Sequence, residues 1–394
     1  MFFYRDSFSS LKIKNKRVNM TKGIILSGGW GTRLRPLTCT IPKTLIPVVN
    51  KPVIERQILL LKSVGVEEII LAVSVMAEDI KRYFKDGKDF GLKIQYTDEK
   101  QPMGTAGALK LAENYLQDDR FFMLNGDEII NFDFHEMLDL HERYAAIGTI
   151  ASMSVEDPSR YGVLIVDKDT DKILKFQEKE DYKPPEGKPV PMPVNAGVYL
   201  LEPEIFSFIE PNKKISIEKD IFPQIANKQK LFNYTINGIW RDVGKPYDLL
   251  EGNILLMKSL IEGAKDKKEN IIAETVQFDD SIIITPPVTI GEHAIVRSGS
   301  KIGPNAIIGD DVVIEKNTEV KESVIYNKAY IGKNVKIEKA IVSDNCQIQE
   351  GAVLKGNNEA LVILASFVEV LKDVKLIAPD DKHITYCHHE VVRF

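Results

Sequence analysis

Hydrophobic positions along this chain follow two different rules. From residue 20 to about 262, short apolar runs alternate with amphipathic stretches. The runs at 23–27, 68–74 and 121–125 have the length and density of strands buried on both faces. Residues 52–64 carry Val53, Ile54, Leu60, Leu61 and Val64 at helical spacing, with Gly65 just past the end. Stretches 105–116 and 134–144 also read as helices. This alternation predicts an α/β domain with a mostly parallel sheet and helices on both faces. Ligands of such sheets sit at the carboxyl ends of strands, so sites are expected just after Ser27 and Asn125.

From residue 284 the rule changes. Ile284, Ile290, Val296, Ile302, Ile308, Ile314 and Val320 recur at every sixth position. The fourth residue after each is small or β-branched: Val288, Ala294, Ser300, Ala306, Val312, Thr318 and Val324. The series slips by one residue, resumes at Ile325, Ile331 and Ile337, and slips again to Val342, Ile348 and Leu354. It shows once more at Val362, Val368 and Val374. Neither a helix nor an alternating strand has period six. A parallel β-helix does, because each six-residue side turns one aliphatic side chain into a shared core. Cys346 falls on a small position and reads as a packed core thiol.

The chain is 394 residues long, the size of two domains. The expected bounds are an extension at 1–19, an α/β domain at 20–262, a connector at 263–283, a β-helix at 284–376 and a tail at 377–394. Met20, directly before the first strand, reads as the natural start. At 44% apolar and 28% charged the composition suits well-cored domains, and a net charge of −5 speaks against a nucleic-acid partner. No apolar run approaches ~18 residues, so no membrane span is expected. Three cysteines without a CxxC suit a reducing compartment, and a cytoplasmic location is expected. Cys387, His388 and His389, with His383 nearby, read as tail residues rather than a metal cluster.

The candidate chemistry lies in the first domain. Gly28-Gly29-Trp30-Gly31-Thr32-Arg33 follows the first strand, where a glycine turn lets backbone N–H groups approach a phosphate. It is neither a dinucleotide fingerprint, since Leu34 stands where the third glycine belongs, nor a P-loop. Arg33 and Lys43 add the two cations that a triphosphate needs. Leu124-Asn125-Gly126-Asp127 ends a buried strand in an acid placed to hold Mg²⁺, and Trp240-Arg241-Asp242-Val243-Gly244 offers a second carboxylate.

Residues 28–38 with Pro42-Lys43-Thr44-Leu45-Ile46-Pro47 resemble the signature of sugar-1-phosphate nucleotidylyltransferases. Pro102-Met103-Gly104-Thr105-Ala106-Gly107, Tyr161-Gly162-Val163, Glu178-Lys179, Val194-Asn195-Ala196-Gly197 and Trp240 to Pro246 follow in the family's order. Ser216-Ile217-Glu218-Lys219-Asp220-Ile221-Phe222-Pro223 is similar to a stretch of mannose-1-phosphate guanylyltransferases. The resemblance implies a Rossmann-like nucleotidyltransferase domain followed by a left-handed β-helix of hexapeptide repeats. It implies that a sugar 1-phosphate attacks a nucleoside triphosphate in the presence of Mg²⁺. Leu26, Gly28, Gly29, Gly31, Gln101, Gly104, Thr105 and Asp127 would line the nucleotide, with Arg33 and Lys43 on its phosphates. Gly162, Glu178 and Asn195 would bind sugar hydroxyls, and Lys179 the sugar phosphate. Arg33, Lys43, Asp127, Lys179 and Asp242 would carry catalysis, with Asp127 and Asp242 on the metal. Self-association through the β-helix is also expected, since a solenoid leaves its end coils exposed.

Two departures stand out. Glu180 follows Lys179 where the family commonly has proline, and residues 183–193 form a long proline-rich stretch that bears on sugar specificity. GTP with mannose 1-phosphate fits best. Thymidylyl, uridylyl or adenylyl transfer on glucose 1-phosphate would use the same fold and metal chemistry. A bifunctional acetyltransferase needs a catalytic His, for which His293 lies in a coil, but no Asn-Tyr-Asp-Gly-like segment is present. A non-catalytic relative would be free to lose Arg33, Lys43, Asp127, Lys179 and Asp242, all of which are intact.

Overall fold

The computed structural model describes residues 21–177, 182–183, 189–264 and 268–393. The extension at 1–19 and the reading of Met20 as the start lie outside the described residues. In the first domain, strands β1 (Lys22–Ser27), β2 (Pro47–Val48), β3 (Lys51–Pro52), β4 (Glu68–Val73), β5 (Lys93–Asp98), β6 (Phe121–Asn125) and β7 (Glu128–Phe132) come first. Strands β8 (Gly148–Val155), β9 (Val163–Val166), β10 (Ile173–Gln177), β11 (Met192–Leu201), β12 (Leu231–Thr235) and β13 (Gly238–Asp242) follow. The helices are α1 (Val53–Ser63), α2 (Ala77–Phe84), α3 (Gly104–Leu111), α4 (Glu113–Leu116), α5 (Phe134–Tyr144), α6 (Phe222–Asn227) and α7 (Pro246–Glu262). The helix expected at 105–116 is divided at Ala112. Among the described residues no helix is long and apolar enough to cross a membrane.

The main sheet runs β10-β9-β11-β6-β1-β4-β5, with β8 paired to β11 and β12. Strands β6, β1, β4 and β5 are parallel, as buried runs of Ile, Leu and Val require, and β11 enters antiparallel beside β6. Two clusters fill the faces of this sheet, one around Ile54, Ile58, Phe84 and Phe134, the other around Leu109, Leu116, Phe206 and Phe222. The parallel strands therefore end side by side, and the loops after Ser27 and Asn125 share one edge. The short sheet β13-β7 brings Asp242 opposite Glu128, beside that edge.

The second domain is a three-sided solenoid with the architecture of a left-handed parallel β-helix. Its ladders hold seven, seven and six short strands. The period-six residues form its core, and nearly all are fully buried. Buried hydroxyls in that core are satisfied: Ser300 donates to the Glu315 carbonyl (3.0 Å) and Thr318 to the Gly332 carbonyl (2.7 Å). Asn305, Asn317, Asn334 and Asn345 take the corners in left-handed backbone, which asparagine tolerates better than most residues. His293 is another such corner, its N–H donated to Thr275 Oγ1 at 2.8 Å. The ladders begin at Ile271 and reach Val392, so strands occupy parts of the stretches expected as connector and tail. In the last coil, His383 Nδ1 accepts from the Leu361 N–H, while His388 and His389 pack on Phe367.

One expected position is corrected. Val324 was to fill an inward small site, but Ser323 pairs with Ala306 and takes that place. This coil is one residue shorter than the one before it, which pairs Val288 with Ala306. In a strand successive side chains alternate faces, so Val324 points outward. Its neighbours there are Ile307, Ile341 and Ile363, the outward column of the first ladder, all fully buried. They pack on Leu249, Leu250, Leu256 and Met257 of α7 and on Leu34, Leu37, Ile46 and Val48 from the loops that follow β1. Hydrogen bonds reinforce the contact: Tyr326 Oη donates to the Pro47 carbonyl (3.0 Å), and Asn50 Nδ2 to the Ile308 carbonyl (2.7 Å). Asn253 Oδ1 of α7 accepts the Val49 N–H at 2.8 Å.

Truncating Ile341 to Ala in this column should cost about 2–5 kcal/mol of stability in chemical denaturation, as for other buried aliphatic truncations. Cys39 and Cys387 are exposed, whereas Cys346 is buried and its thiol is pushed up to about 12 by burial. A thiol reagent should therefore label two cysteines in the native protein at neutral pH, and the third only after unfolding.

Candidate active site

The glycine turn after β1 opens the site. Gly29 and Gly31 both have positive φ, at 95° and 57°, which other residues resist. A Cβ on Gly31 would lie 2.9 Å from Thr38 Cγ2 and 3.1 Å from Lys43 Cβ, so the turn is folded against the Lys43 loop. Thr38 Oγ1 donates to the Gly31 carbonyl (2.8 Å), and the Ser27 and Thr44 hydroxyls pair at 2.6 Å. Gly126 N–H donates to the Leu26 carbonyl (2.9 Å), and a Cβ there would meet that oxygen at 2.7 Å. Gln57 Nε2, from α1, donates to the carbonyls of Asn125 (2.8 Å) and Glu128 (2.9 Å), and so clamps the Asp127 loop from below.

These contacts bring the predicted charges together. Lys43 Nζ donates to Asp127 Oδ2 and lies 3.9 Å from Asp242 Oδ1. The Val243 N–H donates to the Asp127 carbonyl (3.2 Å), tying the two acidic loops. Arg33 and Asp242 flank Gly244, where a Cβ would be 3.2 Å from the guanidinium and 2.8 Å from Asp242 Oδ2. Burial raises the Asp242 carboxyl above its ordinary range, with the Lys43 charge acting against that and the Asp127 charge adding to it.

Sequence reading missed Glu128. It is buried, and one carboxyl oxygen has no partner among the described residues. Burial, then the neighbouring Asp127 and Asp242 charges, push its carboxyl well above the usual range. Nothing in its local sequence signals this, since the burial comes from the pairing of β7 with β13. Also missed was a second charged network, in which Arg160 and Arg241 converge on buried Asp248 at 3.0 and 3.3 Å.

Two carboxylates converging on one ammonium are a hard oxygen donor set that suits a Mg²⁺-class cation. Among the described residues no group of three or more His, Cys, Asp or Glu side chains converges in this way, so substrate oxygens and water would complete the shell.

The remaining predicted residues divide. Gln101 is exposed beside α3, and Gly104 begins that helix with φ 73°, its Cα turned against the Ile215 carbonyl. Thr105 is engaged internally: its hydroxyl donates to Glu218 Oε2 (2.7 Å) and accepts the Ile217 N–H (2.8 Å). Gly162 has no room for a Cβ, which would lie 2.6 Å from the Phe176 ring. Asn195 begins a register shift in β11, beside Gly197 at φ 67°, where a Cβ would meet Asn125 Nδ2 at 2.5 Å. That bulge carries β11 up to the end of β6. Glu178, Lys179 and Glu180 lie outside the described residues, as does part of the proline-rich stretch.

Comparison with known proteins matches residues 22–259 to the nucleotidyl transferase model and 284–379 to the GMPPB C-terminal domain. A protein of Oryza sativa named probable mannose-1-phosphate guanylyltransferase 1 is 35% identical over 357 residues, 90% of this chain and 93% of its own. Mannose-1-phosphate guanyltransferase of Candida albicans is 37% identical over 360 residues, with the same coverage. Among solved structures, a putative glucose-1-phosphate thymidylyltransferase from Bacillus anthracis aligns at TM-score 0.54 and 28% identity, over 60% of this chain and 94% of that one.

Replacing Asp127 or Asp242 by Asn should weaken Mn²⁺ binding at least about tenfold in a paramagnetic titration, the loss of one charged ligand, with the circular dichroism spectrum unchanged.

Proposed function

The chain belongs to the nucleotidyl transferase family, and from that premise we propose that it transfers a guanylyl group from GTP to mannose 1-phosphate, giving GDP-mannose and pyrophosphate. The observation that carries this reading is the convergence of Lys43, Asp127, Asp242 and Arg33 at the carboxyl ends of β1 and β6. The choice of guanine and mannose rests on the two named relatives, whose likeness spans both domains.

In this reading the glycine turn at 28–31 presents backbone N–H groups to the triphosphate. Arg33 and Lys43 neutralise it, and Leu26, Gln101 and Gly104 line the base and ribose. Thr105 contributes its backbone and position, because its hydroxyl proton is already committed to Glu218. Gly162 and Asn195 meet the sugar from β9 and β11, and Glu178 and Lys179 are assigned there by resemblance alone. Asp127 and Asp242 would hold Mg²⁺, which when bound supplies charge neutralisation on the α-phosphate. The sugar phosphate oxygen forms the new bond to the α-phosphorus as the bond to the bridging β-phosphate oxygen breaks, and pyrophosphate carries the electron pair away. No side chain needs to become covalently attached. Bringing two anions together makes positioning and neutralisation the main contributions.

Lys43 holds Asp127 before substrate arrives. Cation and triphosphate binding would redistribute that pair, with the metal taking the carboxylate and a phosphate taking the ammonium. Three free cysteines suit a cytoplasmic setting. Self-association through the solenoid is part of the same proposal, and light scattering giving a clean monomer would remove it.

The deciding measurement is pyrophosphate release with Mg²⁺, crossing GTP, dTTP, UTP and ATP with mannose 1-phosphate, glucose 1-phosphate and glucosamine 1-phosphate. The expected result is one dominant GTP–mannose cell. Dominant dTTP or UTP turnover on glucose 1-phosphate would overturn the substrate assignment and keep the site. In the productive cell, Lys43→Ala should reduce kcat about 10²–10³-fold, the scale seen when one preorganised charge-stabilising group is removed.

A further inference from the structure

A chain of hydrogen bonds runs beneath the site from its sugar side to its nucleotide side, and one carboxylate fixes its direction. Asn195 Nδ2 donates to Tyr199 Oη at 2.8 Å. Tyr199 Oη donates to Glu218 Oε1 at 3.3 Å. The other oxygen of Glu218 accepts from Thr105 and from Ser216, both at 2.7 Å. Tyr199 is fully buried, and Glu218 opens the turn Ile217–Ile221. That turn is clasped to α3, because the Ile215 carbonyl accepts the Ala106 N–H (3.0 Å) and the Ile215 N–H donates to the Met103 carbonyl (2.8 Å).

The polarity of this chain follows from chemistry. An ionised carboxylate only accepts, so Tyr199 must donate to it. The Tyr199 oxygen is then left to accept, which requires Asn195 to present its NH₂ rather than its carbonyl. The amide oxygen of Asn195 consequently faces the other way, where it takes the Gly197 N–H at 3.0 Å. At the opposite end the same carboxylate takes the Thr105 proton, which turns the Thr105 oxygen toward the Ile217 N–H. Replacing either oxygen of Glu218 by a donor would reverse the sense of one arm.

We propose that Glu218 is a positioning residue for both substrates: through Tyr199 it sets the amide orientation of Asn195 toward the sugar, and through Thr105 it holds the first turn of α3 against the nucleotide. The inference rests on the proposed placement of Asn195 at the sugar and Gly104–Thr105 at the nucleotide. Glu218 acts through Tyr199 and Thr105, so its effect is on affinity at two places at once.

The test uses the full chain and varies each substrate against saturating levels of the other. Tyr199→Phe cuts the sugar arm only and should raise the KM for mannose 1-phosphate about tenfold, leaving the KM for GTP and kcat within about twofold. Thr105→Val cuts the other arm and should do the reverse. Glu218→Gln should raise both KM values, and adding Tyr199→Phe to it should cost the sugar KM nothing further, because the two act in series. Ser216→Ala removes one donor to Glu218 together with the acceptor of the Lys219 N–H, and should raise neither KM as much as Glu218→Gln does. Equal changes of both KM values in Tyr199→Phe, or a lower melting temperature with unchanged KM values, would overturn the inference and leave a merely structural network. If Tyr199→Phe does not fold, the Thr105→Val and Glu218→Gln results decide. If the wild-type protein turns over another substrate pair, the same split is read with that pair, and only the substrate assignment falls. If it turns over none, the functional reading fails, and the split is read in Kd values for GTP and mannose 1-phosphate by calorimetry. Absence of the split there also overturns the inference.

Discussion

The burial of one aliphatic column holds the molecule together as a catalytic unit. Ile307, Val324, Ile341 and Ile363 project from the first ladder of the solenoid into α7 and into the loops after β1. The same cluster contains Leu34, Leu37 and Ile46, which flank Arg33 and Lys43 in sequence. Arg33 and Lys43, the two cations assigned to the phosphates in the proposed reading, are therefore mounted on loops whose apolar side is closed by the second domain. A loop with a solvated underside would pay the entropy of ordering those residues when substrate bound. Here packing has ordered them in advance, and three hydrogen bonds at Pro47, Val49 and Asn50 fix where the loop turns.

On that frame the electrostatics are deliberately unbalanced. Asp127 and Asp242 converge on Lys43, and buried Glu128 lies close enough to feel both charges. Burial and mutual repulsion raise Glu128 and Asp242, so the cluster as it stands holds its negative charge at a cost. In the proposed reading a divalent cation held by Asp127 and Asp242 would relieve that cost, and a bound triphosphate would offer Lys43 a new partner.

Much of this was legible in the sequence. Period six gave the solenoid because every inward position is aliphatic or small, and the tight glycine turn after β1 was readable because its backbone demands are local. Asp127 and Asp242 stood out as acids at strand ends. Other features depend on contacts far apart in the chain. Val324 read as inward because the coil's missing residue falls between Val320 and Ser323, and only strand register reveals which residue absorbs it. The outward column is invisible as a pattern, since strands of three residues do not display an alternation. The first coil escaped because its period-six residues, Ile272 and Phe278, pair with Ile290 and Val296 yet stay exposed at the uncovered end of the solenoid. Glu128 became distinctive only once β13 covered it, and Tyr199 with Glu218 only once the α6 turn met α3.

The aliphatic column also has a consequence for how the chain is made. Translation completes α7 before any coil with an outward Ile or Val has emerged, and domains generally begin to fold in that order. The stripe of Leu249, Leu250, Leu256 and Met257 then waits uncovered on a domain that already holds every described residue of its site. A ribosome that stops between residues 264 and 270 releases a protein with an intact signature and a bare apolar flank, which Ile271 is the first to cover. Coverage arrives coil by coil, and Ile363 closes the last of it. The solenoid is thus the protein's own late-arriving chaperone for the surface on which the Lys43 loop stands.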